Sequence, residues 1–201
     1  MSTEERIDPV QEEGVPKYVF EDEVVWIAWL FSPMSIAFSM RNKTDHSIRI
    51  VWNDAAFVDD TGESRRIIHS GVKYADRNGL QPPTVIVRRG SVTDFLLPSD
   101  NAFWVGGISS RGIATPGGWE HLPMLPVEQT GGQSETLKES AEKYVGKTFQ
   151  VLLPLQIQDV VNDYIFIFRV NSVEVVVKSG TCPGTTYWNG VGCTSGPRLT
   201  R

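Results

Sequence analysis

The chain has 201 residues, 40% of them hydrophobic, with six Trp, nine Phe and five Tyr. That is ample for a packed core and excludes global disorder. The formal charge is −5, but residues 1–23 carry Glu4, Glu5, Asp8, Glu12, Glu13, Glu21, Asp22 and Glu23 against Arg6 and Lys17, a balance of −6 that leaves +1 for the remainder. A near-neutral body offers no basic footprint for nucleic acid and no cationic amphipathic helix for a membrane surface.

In chain order, residues 1–19 combine acidic charge with Pro9, Gly14 and Pro16 and predict a flexible acidic tail. The start, MSTEERIDPVQEEGVPK, shows neither the basic nor the apolar region of a secretory signal. Val24 to Phe31 is the most apolar run; it is too short to span a bilayer and reads as a buried strand ending in a Ser32-Pro33 turn. No transmembrane segment is expected. From Ser35 to Asn53, Ile36, Phe38 and Met40 alternate with Ala37, Ser39 and Arg41. A polar run from Asn42 to Ser47 follows, and then Ile48, Ile50 and Trp52 alternate with Arg49 and Asn53. Period-two alternation on both sides of a polar turn predicts an antiparallel hairpin. Ala55–Val58 and Ser64–His69 predict a second hairpin around Asp59–Glu63, with Gly62 supplying positive φ. Thr84–Val87 and Ser91–Leu97 predict a third around Arg88-Arg89-Gly90, stopped by Pro98.

Residues 98–133 change character: seven glycines lie among Pro116, Pro123 and Pro126, with Phe103, Trp104, Trp119 and Leu122 scattered without period. A loop insertion this long is functional or mobile in most compact domains. It serves either as a lid on its own domain or as an exposed patch for a partner. Ser134–Val145 predicts a short helix, with Leu137, Ala141 and Tyr144 at helical spacing and Gly146 as its stop. Phe149–Ile157 alternates strongly, Asn162-Asp163 reads as a turn, and both faces of 164–168 are apolar, as in a central strand. Val173–Lys178 is a further valine-rich run. About eight or nine short strands with turn signals between them predict an all-β fold, an immunoglobulin-like antiparallel β-sandwich with one short helix and a long Gly/Pro-rich insertion. A β-barrel is the alternative. The boundaries read as a tail over 1–19, the sandwich over 20–179 and an appendage over 180–201.

Cys182 and Cys193 are the chain's two cysteines and bracket CPGTTYWNGVGC, whose Asn189-Gly190 marks a tight turn. A disulfide between them would staple about ten intervening residues, worth roughly 3 kcal/mol in the chain-entropy picture. It implies an oxidising compartment. The spacing is neither a zinc-ligand set nor Cys-x-x-Cys. The segment resembles short Cys-Pro-x-Gly…Trp-Asn-Gly…Cys tails of some exported bacterial proteins and, more faintly, part of a peritrophin-type chitin-binding module. That module uses several disulfides where this chain has one pair. Tyr187 and Trp188 suit either a miniature loop core or stacking on a sugar ring.

Asp60-Thr61-Gly62 matches the Asp-Thr-Gly of aspartic proteases, but that chemistry needs two aspartates sharing a proton, and a hairpin turn explains the same residues. Asp59, Asp60 and Glu63 lack the repeated ligand spacing of a calcium loop. His46, His69 and His121 form no metal-ligand motif, no Gly-x-Ser-x-Gly elbow is present, and no cofactor pattern is read.

Taken together, NKTDHSIRIVWN, FVDDTGES and the VIVRRGSV-to-Pro98 stretch resemble uncharacterised bacterial exported or lipoprotein β-sandwiches, over roughly residues 24–178. The resemblance implies an extracytoplasmic domain, periplasmic or at the cell surface. The expectation is a non-catalytic structural or protein-interaction module, an accessory subunit of an envelope or surface assembly, with another envelope protein as partner. The alternative is a carbohydrate- or envelope-polymer-binding module. In both, the binding residues expected are Phe103, Trp104, Trp119, Tyr187 and Trp188.

Overall fold

Alternating stretches become strands throughout the computed structural model, which describes residues 9–12, 15–32, 34–110, 113–124 and 139–172. A first layer holds β1 (Pro9–Glu12), β2 (Val15–Glu21), β3 (Val25–Phe31), β4 (Ile36–Asn42) and β9 (Ser91–Pro98). They are antiparallel neighbours in the order β1-β2-β3-β4-β9. The second layer is built on the ten-residue β14 (Thr148–Ile157). One side of β14 carries β15 (Val160–Arg169) along its full length. The other side carries β6 (Ala56–Val58) and β5 (Ile48–Ile50) end to end, flanked by β7 (Ser64–His69) and β8 (Thr84–Ile86).

One strand stitches the layers together. Ser64–Arg66 of β7 pairs with β6, and Ile67–His69 of the same strand pairs with Leu96–Pro98 of β9. The sheet thus folds over at Arg66-Ile67, and its end strands β1 and β8 do not meet, so there is no barrel. The result is an all-β, sandwich-like fold of antiparallel strands with, among the described residues, one short α-helical turn at 139–142.

The layers meet on an aromatic core. Trp29 of β3 lies 4.9 Å from Phe166 and 5.5 Å from Phe168 of β15. Phe31 is 4.6 Å from Phe168 and 5.5 Å from Phe149. Ile27, Ile48, Ile50, Trp52, Leu96, Val151, Leu153 and Leu155 are fully buried around them. Each such aliphatic side chain contributes about 1.5–3 kcal/mol on leaving water.

Several expectations are corrected. The two strands flanking Asn42–Ser47 are not a hairpin: β4 pairs with β3 and β9, whereas β5 pairs with β14 and β8. The polar run is a crossover between layers, because Ile36, Phe38 and Met40 fill one wall of the core and Ile48 and Ile50 the other. Thr84–Val87 and Ser91–Leu97 behave the same way, crossing back at Arg88-Arg89-Gly90. The Asp59–Glu63 hairpin forms as expected, with Gly62 at φ 87°. In the β14–β15 hairpin the turn is Gln158-Asp159, not Asn162-Asp163. Gln158 accepts φ 53° without the Gly or Asn that marks such turns in a sequence. β15 is not central: among the described residues it pairs with β14 alone. At the N-terminus, part of the expected tail forms β1 and β2, because Tyr18 and Phe20 pack on the core. The Val173–Lys178 run lies outside the described residues, as does the predicted helix before residue 139. Gly146 ends that helical region at φ 86°.

Candidate functional site

The Gly-rich stretch after Pro98 is built as an arm. β10 (Ala102–Val105) pairs with β13 (Gly118–His121), and β11 (Ile108–Ser110) with β12 (Ile113–Thr115). One register runs through both ladders, so Gly106-Gly107 faces Pro116-Gly117 where pairing lapses. Asn101 clasps the root: the Leu122 N–H donates to its carbonyl at 2.8 Å, and its Nδ2 donates to the Leu122 carbonyl at 3.2 Å. Ala102 buries beneath it with Ile68 and Leu97.

Trp104 and Trp119 stand directly opposite each other on one face of the arm, rings edge-to-face at 5.7 Å and 71°. Trp119 is braced on the body side by Tyr74 at 6.4 Å and by the Arg77 guanidinium, 4.8 Å over its ring. Arg77 is itself held by a bond to the Tyr74 carbonyl at 3.2 Å, and Tyr74 Oη lies 3.3 Å from His121 Nδ1. Gly117 makes room for the indole, since a Cβ there would lie 2.7 Å from Trp104 Cζ2. Trp104 is left 56% exposed, a large rigid ring presented to water. Phe103 lies on the other face, opposite Glu120, and is half-buried. Thus Trp104 and Trp119 are brought together and Phe103 is directed away from them. Tyr187, Trp188, Cys182 and Cys193 lie outside the described residues.

Two polar constellations stand apart from the arm, and the first, His69 with Asp94, was not singled out by its spacing. His69 Nδ1 donates to Asp94 Oδ2 at 3.1 Å, both side chains being buried, with the imidazole stacked on Trp52 at 4.1 Å and 6°. Asp94 Oδ1 accepts the Ser70 and Phe95 N–H groups, each at 2.8 Å, and Trp52 Nε1 donates to Thr84 Oγ1 at 2.8 Å. The pair therefore ties β7 to β9 at the fold-over, and its carboxylate is committed to backbone donors. The second is a cleft of ≈ 290 Å³ whose lining includes the apolar Phe57, Phe149 and Met124 and the charged Asp59, Asp60, Arg65 and Lys147. Arg65 pairs with Asp59 at 2.8 Å, and Lys147 pairs with Asp60. The Asp60 carboxylate beside Lys147 holds its ammonium above the usual range. Thr61 Oγ1, at 2.6 Å, holds the Asp59 carboxyl below the usual range, helped by the Thr61 and Glu63 N–H groups and Arg65. These acids face their own turn and cations, so the calcium and protease readings of Asp59–Glu63 find no open ligand set here.

The histidines go to three separate places: His46 to the first crossover, His69 to the fold-over and His121 to the arm root. Among the described residues no group of three His, Cys, Asp or Glu converges, and no helix is long and apolar enough to cross a membrane. Comparison with protein-family models, curated proteins and solved structures finds no match.

Proposed function

We propose that the protein is a non-catalytic interaction module of an extracytoplasmic assembly, an accessory subunit at an envelope or surface, and that it meets its partner protein through the arm of residues 102–121. The observation that carries this reading is Trp104: a half-exposed indole, locked by Trp119 across the ladder and by Gly117 beneath it. Rigid aromatic anchors of this kind dominate binding energy at protein interfaces because little side-chain entropy is lost on docking. The cysteine pair of the C-terminal segment supports an oxidising compartment.

Carbohydrate binding is the second reading, since a half-exposed indole can stack on a sugar ring. The T-shaped geometry of Trp104 and Trp119 favours the first, because a polysaccharide groove needs rings that offer faces in a row. A photo-crosslinking residue in place of Trp104, introduced in the producing cell, is expected to capture a defined protein that the same probe at the exposed Leu80 does not. Retention on an immobilised polysaccharide that W104A abolishes, without any protein adduct at 104, would transfer the arm to the second reading.

A further inference from the structure

We infer that the edge of β15 away from β14, unpaired among the described residues, pairs with the same edge of a second copy of this chain, making a twofold-symmetric dimer with a continuous antiparallel ladder. Among the described residues β15 is bonded along one side only. Its solvent face carries Val161, Ile165 and Ile167, exposed at 51%, 58% and 51%. Edge strands that must stay single are blunted by a bulge, a proline or inward-pointing charge, and the centre of β15 has none of these.

The hydrogen-bonding phase of the strand fixes which residues are free. The Val170 N–H donates to the Lys147 carbonyl at 3.0 Å, and the two-residue Gln158-Asp159 turn closes on the Ile157–Val160 pair. Both place the even-numbered residues of β15 in the phase that bonds to β14. The odd-numbered Val161, Asp163, Ile165, Ile167 and Arg169 therefore turn their N–H and C=O groups to the open edge. A self-pairing must set odd residues against odd residues, which leaves few registers.

With the twofold axis at Phe166, Ile165 faces Ile167 of the second copy, and Asp163 faces Arg169, at both ends of the ladder. Asp163 and Arg169 are exposed, and among the described residues neither has an ion-pair partner. Moving the axis to Ile165 sets Asp163 against Ile167 and Arg169 against Val161. Moving it to Ile167 sets Arg169 against Ile165. Of these three registers, the Phe166-centred one alone sets Asp163 against Arg169 and Ile165 against Ile167, with Val161 facing Asn171 beyond them, and this complementarity of the strand with itself selects a second copy as the occupant.

Sedimentation velocity of the full chain over a concentration series tests this. The expected result is a reversible dimer whose affinity falls roughly tenfold or more in D163R and in R169D, where like charges meet, and recovers in D163R/R169D. W104A leaves it unchanged, which separates this interface from the arm. Amide exchange of the wild-type chain gives a second readout: the 163, 165 and 167 amides become protected only at dimer-forming concentrations. A monomer throughout overturns the inference, as do odd-numbered amides already protected at low concentration, the result expected if residues 173–178 of the same chain cover the edge. A dimer indifferent to both single swaps overturns it as well.

Discussion

The Asn42 side-chain amide donates to the Val87 carbonyl at 3.1 Å and so joins the two loops by which the chain changes layer. The same Nδ2 faces the His46 carbonyl at 2.7 Å and the Ile86 carbonyl at 3.3 Å, while Oδ1 accepts the Thr44 N–H at 2.8 Å and its hydroxyl at 2.9 Å. The Asn42 N–H donates to the Gly90 carbonyl at 2.9 Å, and an exposed Arg89–Asp45 pair, also at 2.9 Å, bridges the loops outside. A single fully buried amide thus satisfies backbone groups of both crossovers.

Replacing Asn42 should cost accordingly. N42A leaves buried carbonyls without a donor, and about 3 kcal/mol of stability is expected to be lost. N42D keeps the shape but sets a carboxylate against three carbonyls, so it should be at least as damaging. Urea unfolding checks both, with the midpoint falling and the m-value unchanged. An N42D midpoint equal to wild type would mean that the amide does not hold the crossovers.

Gly117 should matter to the arm and not to the body. A methyl there meets Trp104 Cζ2, the Val105 carbonyl at 2.8 Å and the Gly107 nitrogen at 3.0 Å, so G117A must push the strands of the arm apart. The exciton coupling of the Trp104–Trp119 pair in circular dichroism is expected to vanish in G117A, as in W104A. The unfolding midpoint should stay within roughly 0.5 kcal/mol of wild type, the usual range away from a core. Retained coupling in G117A would show that the ring contact tolerates the methyl.

How far these features were legible depends on the distance over which they are decided. Alternation at Ile36, Phe38 and Met40 marks a strand because one face is buried, and that is a local fact. Which sheet a strand joins is not local. The Asn, Asp and Ser residues between Met40 and Ile48 serve a crossover as well as a turn, and the choice rests on Ile50 meeting Leu155, more than one hundred residues later. At Asp59–Glu63 the hairpin was legible because both strands and the positive-φ Gly62 are close neighbours. The arm carried a signal of another kind: FWVGG and PGGWEH place aromatic residues and glycines symmetrically about residues 111–112, the pattern of one long hairpin. The His69–Asp94 pair left no such mark, since it joins two strands that meet only at the fold-over.

Asp59 is expected to contribute to the acid response of the β6–β7 hairpin. Its carboxylate accepts the Thr61 hydroxyl, the Thr61 and Glu63 N–H groups and Arg65, which hold its carboxyl below the ordinary value of 3.8. A lowered folded pKa contributes stability that is present above the unfolded value and is lost as pH falls through the folded one. Wild-type stability should therefore decline below pH 3.8 more steeply than that of D59N, which carries no titrating group there. Melting curves from neutral to acid pH decide it, and parallel slopes would remove Asp59 from the acid response.

The opposite limit belongs to Tyr164. It is half-buried against Phe20, its hydroxyl donates to Asp22 Oδ2 at 2.8 Å, and Asp22 Oδ1 in turn accepts the Val24 and Val25 N–H groups. Burial, then the bond to Asp22 and its charge, raise the phenol well above its ordinary value of 10.0. A raised folded pKa means stability that is fully present below the unfolded value and is lost as pH rises toward the folded one. Absorbance titration should therefore show Tyr164 ionising only as the chain unfolds in alkali. Y164F removes the bond that ties β15 to the turn before β3, at an expected cost of about 1 kcal/mol at neutral pH, and it should flatten the alkaline loss. If Y164F loses stability above pH 10.0 as wild type does, the alkaline limit lies with another group.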